Sequence, residues 1–127
     1  MNTAIFLRGH ARTWNTIKYQ NLAFLNKCYN KPDWYVTMPN TKTVTLDSLH
    51  TDFYKSNLVS CSLINEDNFT LPFVQIQRWD SYCPEYWKLA WFDYQLSKAL
   101  RMHELETGIR YNQVLFARPD CNYDYAE

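Results

Sequence analysis

Two short segments hold the side chains with which this chain could bind a charged ligand. Residues 8–13 read Arg-Gly-His-Ala-Arg-Thr and residues 118–120 read Arg-Pro-Asp. Guanidinium groups pair with phosphate oxygens, glycine lets a ligand approach the backbone, and an aspartate can bind a divalent cation or a ribose hydroxyl. The two segments together therefore indicate a site for a ligand that carries a diphosphate. The candidate site residues are Arg8, Gly9, His10, Arg12, Arg118 and Asp120.

Each segment directly follows an apolar run with the pattern of a buried strand. Thr3–Leu7 precedes the first and Gln113–Ala117 precedes the second, and we predict that both strands are buried. Ligands of parallel sheets bind outside the carboxyl ends of the strands. If the two strands are neighbours, the two segments share one crevice, to which a helix starting near Thr13 adds its first turn. Taken singly, each segment is equally compatible with a turn and ordinary surface ion pairs.

Helices alternate with strands between these two segments. We predict helices from Thr13 to just before Pro32, at 45–54 and from Pro84 to Gly108, and strands at 34–38 and 58–64. Residues 65–79 are ambiguous, with a possible extended piece at 73–77. This order predicts an α/β fold, a Rossmann-like three-layer domain with a largely parallel sheet.

The long third helix carries apolar residues on two faces. Phe92 and Leu96 lie on one face, and Trp91, Tyr94 and Leu105 lie on the other, which predicts that its first half is buried all round. Aromatic side chains of this region could stack on a sugar or a base. Their helical spacing favours a role in the core.

Composition excludes several classes of protein. The chain has 127 residues with 13 basic and 13 acidic side chains, so it lacks the basic excess that nucleic-acid binding needs. We expect one domain over residues 1–127, with no membrane span because no apolar run approaches about 20 residues.

The four cysteines form no CxxC pair, which argues against a zinc knuckle. We expect mostly buried, reduced thiols and a cytoplasmic protein.

Residues 8–13 and 117–120 also resemble the two motifs of a group of glycosyltransferases found in bacterial polysaccharide clusters, large viruses and marine metagenomes. The resemblance implies a GT-A type nucleotide-sugar-binding fold that transfers a sugar to a glycan acceptor. It implies that Arg8, His10 and Arg12 contact the nucleotide or its diphosphate. It also implies that Asp120 contributes to the sugar-nucleotide site and to a divalent cation, Mn or Mg.

The sequence departs from that group in two ways. Domains of the group continue well beyond the aspartate, whereas this chain ends at Glu127. We therefore expect the N-terminal, donor-binding part of a longer protein, with a truncated sheet. An open sheet edge would favour homo-oligomers. Asp120 also lacks the second carboxylate of an Asp-x-Asp motif, so metal dependence and activity stay open. No catalytic residue is assigned.

Two alternatives remain. Residues 6–15 resemble the opening of the histidine phosphatases, in which a histidine after a strand attacks phosphorus. Here Gly9 and His10 stand in the reverse order, and His50 and His103 both fall on helical patterns rather than after a later strand. The other alternative is a non-enzymatic binding module whose polar crevice has lost its chemistry.

Overall fold

The computed structural model describes residues 2–64 and 84–123, with the side chains of residues 84–89 left aside. Seven helices and strands follow one another along these residues. They are β1 (Thr3–Arg8), α1 (Trp14–Cys28), β2 (Asp33–Pro39), α2 (Leu46–Asp52), β3 (Asn57–Ile64), α3 (Pro84–Thr107) and β4 (Gln113–Ala117).

The four strands form one parallel sheet in the order β3-β2-β1-β4. The chain adds β2 and β3 on one side of β1 and then returns to place β4 on the other side. The order therefore reverses between β1 and β4, which is the place where open α/β sheets bind their ligands. The predicted α/β fold is confirmed.

Helices cover both faces of this sheet because the side chains of the central strands alternate between two apolar clusters. Ile5 and Leu7 pack with α1 and α2 on one face. Ala4 and Phe6 pack with Leu96 of α3 on the other face. The result is a three-layer arrangement in which β1 is buried on both sides.

Local sequence explains where the helices begin and end. Thr45 caps α2 in a capping box, accepting from the Ser48 backbone N–H while the Ser48 hydroxyl accepts from the Thr45 N–H. Gly108 follows α3 with φ +75°, a backbone conformation that suits glycine. The element boundaries differ from the predicted ones by a residue or a few at most. The ambiguous segment at 65–79 lies outside the described residues.

Two predictions of burial are wrong. Val114 and Phe116 of β4 are exposed to 39% and 52%, because β4 is an edge strand of the described sheet and α3 packs over the other three strands. Tyr94 and Leu105 are exposed on the outer face of α3. A period of 3.6 identifies two apolar faces of a helix but does not show which of them meets the sheet.

Candidate functional site

The two polar segments lie side by side at the carboxyl ends of β1 and β4. Leu7 pairs with Ala117 at the last rung of this strand pair, so Arg8 and Arg118 follow on neighbouring strands. Gly9 has φ +129° and approaches Pro119 so closely that a Cβ on it would lie 3.5 Å from the Pro119 Cδ. An L side chain rarely adopts that φ, so this position requires glycine. The condition under which the two segments lie together, that β1 and β4 are neighbours, is therefore met.

The start of α1 is bonded to the second segment. Thr13 precedes the helix as predicted, but its side chain makes no cap hydrogen bond. Instead its hydroxyl donates to the backbone carbonyl of Asp120, with 3.4 Å between the oxygens. The backbone N–H groups of Trp14, Thr16 and Ile17 donate to carbonyls of residues 11 and 13. The first turn therefore has little donor capacity left, and recognition of an anion here falls to side chains.

Asn21 fixes the segment after β4 onto α1. This side chain is buried, its Nδ2 donates to the Cys121 carbonyl at 2.7 Å, and its Oδ1 accepts from the Tyr123 N–H at 2.9 Å. The Tyr123 hydroxyl in turn accepts from the Arg118 N–H at 2.7 Å, and burial raises the pKa of that phenol. The segment carrying Arg118 and Asp120 is therefore held by its backbone, which leaves its charged side chains available.

Arg8 is held from the α3 side of the sheet. Its Nε lies 2.7 Å from Asp93 Oδ1, and its guanidinium lies 5.3 Å from the centre of the Phe116 ring. Both charged side chains are partly buried, so this pair is less screened by water than a surface pair. Asp93 thus adds a carboxylate to the wall of the crevice.

Arg118 and Asp120 form a two-point ion pair. The guanidinium Nε donates to Oδ1 at 3.0 Å and Nη2 donates to Oδ2 at 2.9 Å. The hydrogen bonds and negative charge of Asp120 raise the pKa of Arg118. The Arg118 side chain is exposed to 48% and the Asp120 side chain to 20%. Water reaches the pair from the Arg118 side, so the pair stabilises the fold by about 1 kcal/mol and a competing anion can approach the guanidinium.

His10 and Arg12 lie in the connection between β1 and α1. His10 is half-buried and Arg12 is exposed. Of the six candidate residues, the four in the first segment therefore flank β1 and the two in the second flank β4. All six lie at the carboxyl ends of the two neighbouring strands β1 and β4.

A divalent cation fits the described residues poorly. Both carboxylate oxygens of Asp120 already accept from Arg118, and a guanidinium repels a cation at that position. Within residues 2–64 and 84–123, no group of three or more His, Cys, Asp or Glu side chains is arranged to hold a metal. Hard divalent cations need several oxygen ligands, and the carboxylates of Asp93 and Asp120 are both paired with arginines.

The other two histidines lie on helices, apart from His10. His50 is in α2. His103 of α3 stacks on the Tyr111 ring, whose residue precedes β4 and so lies toward the amino ends of the strands. His103 therefore lies toward the opposite end of the strands from His10, and both His50 and His103 are on helices, as their sequence pattern predicted.

The sequence interpretation missed Asp93, Asn21 and Tyr123. Asp93 lies in a helix whose pattern is dominated by aromatic residues, and no local feature connects it with Arg8. Asn21 is a polar residue between Ile17 and Leu25 on the inner side of α1, which is a usable signal because a buried amide needs hydrogen-bond partners. The prediction that the thiols are mostly buried is wrong for the three described cysteines, since Cys28 is exposed and Cys61 and Cys121 are half-buried.

None of the described helices combines the length and apolar character that crossing a bilayer requires. The chain matches no protein-family model, no curated protein and no solved structure.

Proposed function

We propose that the crevice between β1 and β4 binds the diphosphate of a nucleotide-sugar donor and that the domain serves sugar transfer to a glycan acceptor. The observation that carries the proposal is the reversal of strand order between β1 and β4. It brings Arg8 and Arg118 to adjacent strand ends in the region where open parallel sheets bind ligands.

The binding chemistry relies on the exchange of anionic partners. Arg8 and Arg118 hold the carboxylates of Asp93 and Asp120. A diphosphate offers both guanidinium groups acceptor oxygens of higher charge density, so it can replace the Asp120 carboxylate on the half-exposed Arg118. Arg12 is exposed in the connection that follows β1 and adds a further positive charge. We expect affinity to fall as salt concentration rises, because the recognition is electrostatic.

Asp120 released from Arg118 becomes available to the rest of the donor. Its backbone carbonyl stays bonded to Thr13, so the carboxylate stays near the crevice after the ion pair opens. The carboxylate then accepts from ribose or sugar hydroxyls. A contribution to divalent-cation binding, with Mn or Mg, would require further oxygen ligands from the donor's phosphates.

Calorimetric titration with UDP and with GDP, each with and without manganese, tests the proposal. We expect binding that weakens at least about tenfold in Arg118→Gln and in Arg12→Gln, since a charge-assisted hydrogen bond contributes about 1.5–3 kcal/mol. Arg101→Gln is the matched control, because Arg101 is an exposed arginine of α3 outside the crevice.

Three results would count against the proposal. One is the absence of heat at millimolar nucleotide, and another is equal weakening in the Arg101 control. The third is hydrolysis of a generic phosphomonoester that disappears in His10→Ala, since this would favour the phosphatase alternative.

Size-exclusion chromatography of the same samples tests self-association through the half-exposed edge strand β4, and a monomer over the full concentration range would contradict it.

A further inference from the structure

A second polar groove lies at the amino ends of the strands, on the opposite side of the domain from the crevice. It has a volume of about 480 Å³ and is formed by the end of α1 and the turn that leads into β3. β2 begins at Asp33 and β3 begins at Asn57, so this groove lies at the amino ends of the strands. Its volume is within the range of about 300–1,000 Å³ typical of small-ligand pockets.

Three lysines line this groove, and no carboxylate does. Lys27, Lys31 and Lys55 come from two separate parts of the chain and all three line the groove. Within residues 2–64 and 84–123, none of the three ammonium groups forms an ion pair. Asp33 begins the adjacent strand, but its two carboxylate oxygens accept from Asn57 and from the Tyr111 hydroxyl. The groove therefore has a net positive lining.

Lys31 occupies a backbone conformation that does not suit lysine. Asn30 and Lys31 have φ values of +54° and +56°, and only glycine and, to a lesser degree, asparagine adopt this region readily. The Lys31 N–H closes the helix end by donating to the Asn26 carbonyl at 2.9 Å, a bond that glycine would make equally well. A lysine at this position therefore has a conformational cost without a local benefit.

The wall of the groove is rigid. The Asn26 amide donates to the Ser56 hydroxyl at 2.9 Å and accepts from the buried Trp34 indole, also at 2.9 Å. The Ser56 N–H donates to the Phe53 carbonyl. These bonds join the end of α1 to the turn before β3, so the lysine-bearing segments have a fixed spacing before any ligand arrives.

We propose that this groove binds a soluble anion with at least two phosphate groups, separately from the crevice. Lysine ammonium groups act as point charges toward phosphate, and three lysines without an ion-pair partner among the described residues line this groove. The exposed Tyr54 ring, with the Lys55 ammonium 5.4 Å from its centre, borders the same groove. Lys27 also stabilises the carboxyl end of α1, but that role needs neither Lys31 nor Lys55.

Residue-resolved NMR titration with inorganic pyrophosphate at constant ionic strength tests the proposal. We expect amide shifts at residues 26–31 and 54–57, with an affinity that falls at least tenfold in the variant K27Q/K31Q/K55Q. The control K42Q/K98Q removes two exposed lysines outside the groove and should leave the affinity unchanged. Arg118→Gln should also leave these shifts intact, which distinguishes this groove from the crevice.

A single substitution tests Lys31 without endangering the fold. Lys31→Gly should raise the urea midpoint, because glycine adopts φ +56° readily, and should weaken pyrophosphate binding at least threefold. Equal weakening in the K42Q/K98Q control, or shifts confined to residues 8–13 and 118–123, would overturn the proposal. Lysine-dependent pelleting with phosphatidylserine vesicles would assign the groove to a lipid headgroup and overturn the soluble ligand.

Discussion

Asn21 offers the sharpest test of how the crevice is assembled. Replacing it by leucine keeps the side-chain volume and removes both hydrogen bonds that fix residues 121 and 123. Each bond contributes about 1 kcal/mol, and leaving the Cys121 carbonyl and Tyr123 N–H unpaired raises the total to about 2–3 kcal/mol. With a urea dependence of about 1.5 kcal/mol per molar for a chain of this size, the unfolding midpoint should fall by about 1.3–2 M.

Equilibrium urea unfolding followed by tryptophan fluorescence measures this change. Asn15→Ala is the control, because Asn15 is exposed and the two hydrogen bonds of its amide, to the Thr43 carbonyl at 3.3 Å and from Lys18 Nζ at 3.0 Å, are open to water. The control should shift stability by no more than about 0.5 kcal/mol. Asn21→Leu should also weaken UDP binding, because Arg118 loses its fixed position. A stability loss as small as the control's would show that Asn21 does not anchor this segment.

Two further predictions concern buried polar groups outside the crevice. The Lys18 ammonium lies 2.8 Å from the carboxylate of the buried Asp52, and Lys18→Met leaves that carboxylate without a cation. The free energy of unfolding, measured with urea, should fall by about 3 kcal/mol. A fall of less than about 1 kcal/mol would contradict this prediction. Burial raises the pKa of Tyr111 above the ordinary value of 10.0, with further increases from its hydrogen bonds to Asp33 and Tyr35. As the pH rises through the ordinary pKa of tyrosine, the Tyr111 phenol loses its proton in the unfolded chain and keeps it in the folded chain. The free energy of unfolding should therefore fall as pH rises. Tyr111→Phe should flatten this decline between pH values of about 9 and 11.

Much of the fold followed from local sequence. Apolar runs such as Thr3–Leu7 predicted strands, and Thr13 and Gly108 marked helix ends, because these signals depend on neighbouring residues only. The exposure of Phe116 and Tyr94 was not predictable in this way. Whether a β-strand lies at an edge, and which face of a helix meets the sheet, depends on the placement of segments distant in sequence.

The sequence by itself determined the α/β class and the two charged segments at the ends of β1 and β4. Only the tertiary structure decided that these strands are neighbours, because strand order depends on how each helix crosses the sheet. It also decided the partners of the site arginines, giving Asp93 to Arg8 and Asp120 to Arg118. Arg8 and Asp93 are 85 residues apart, and no local pattern can specify a pair at that separation.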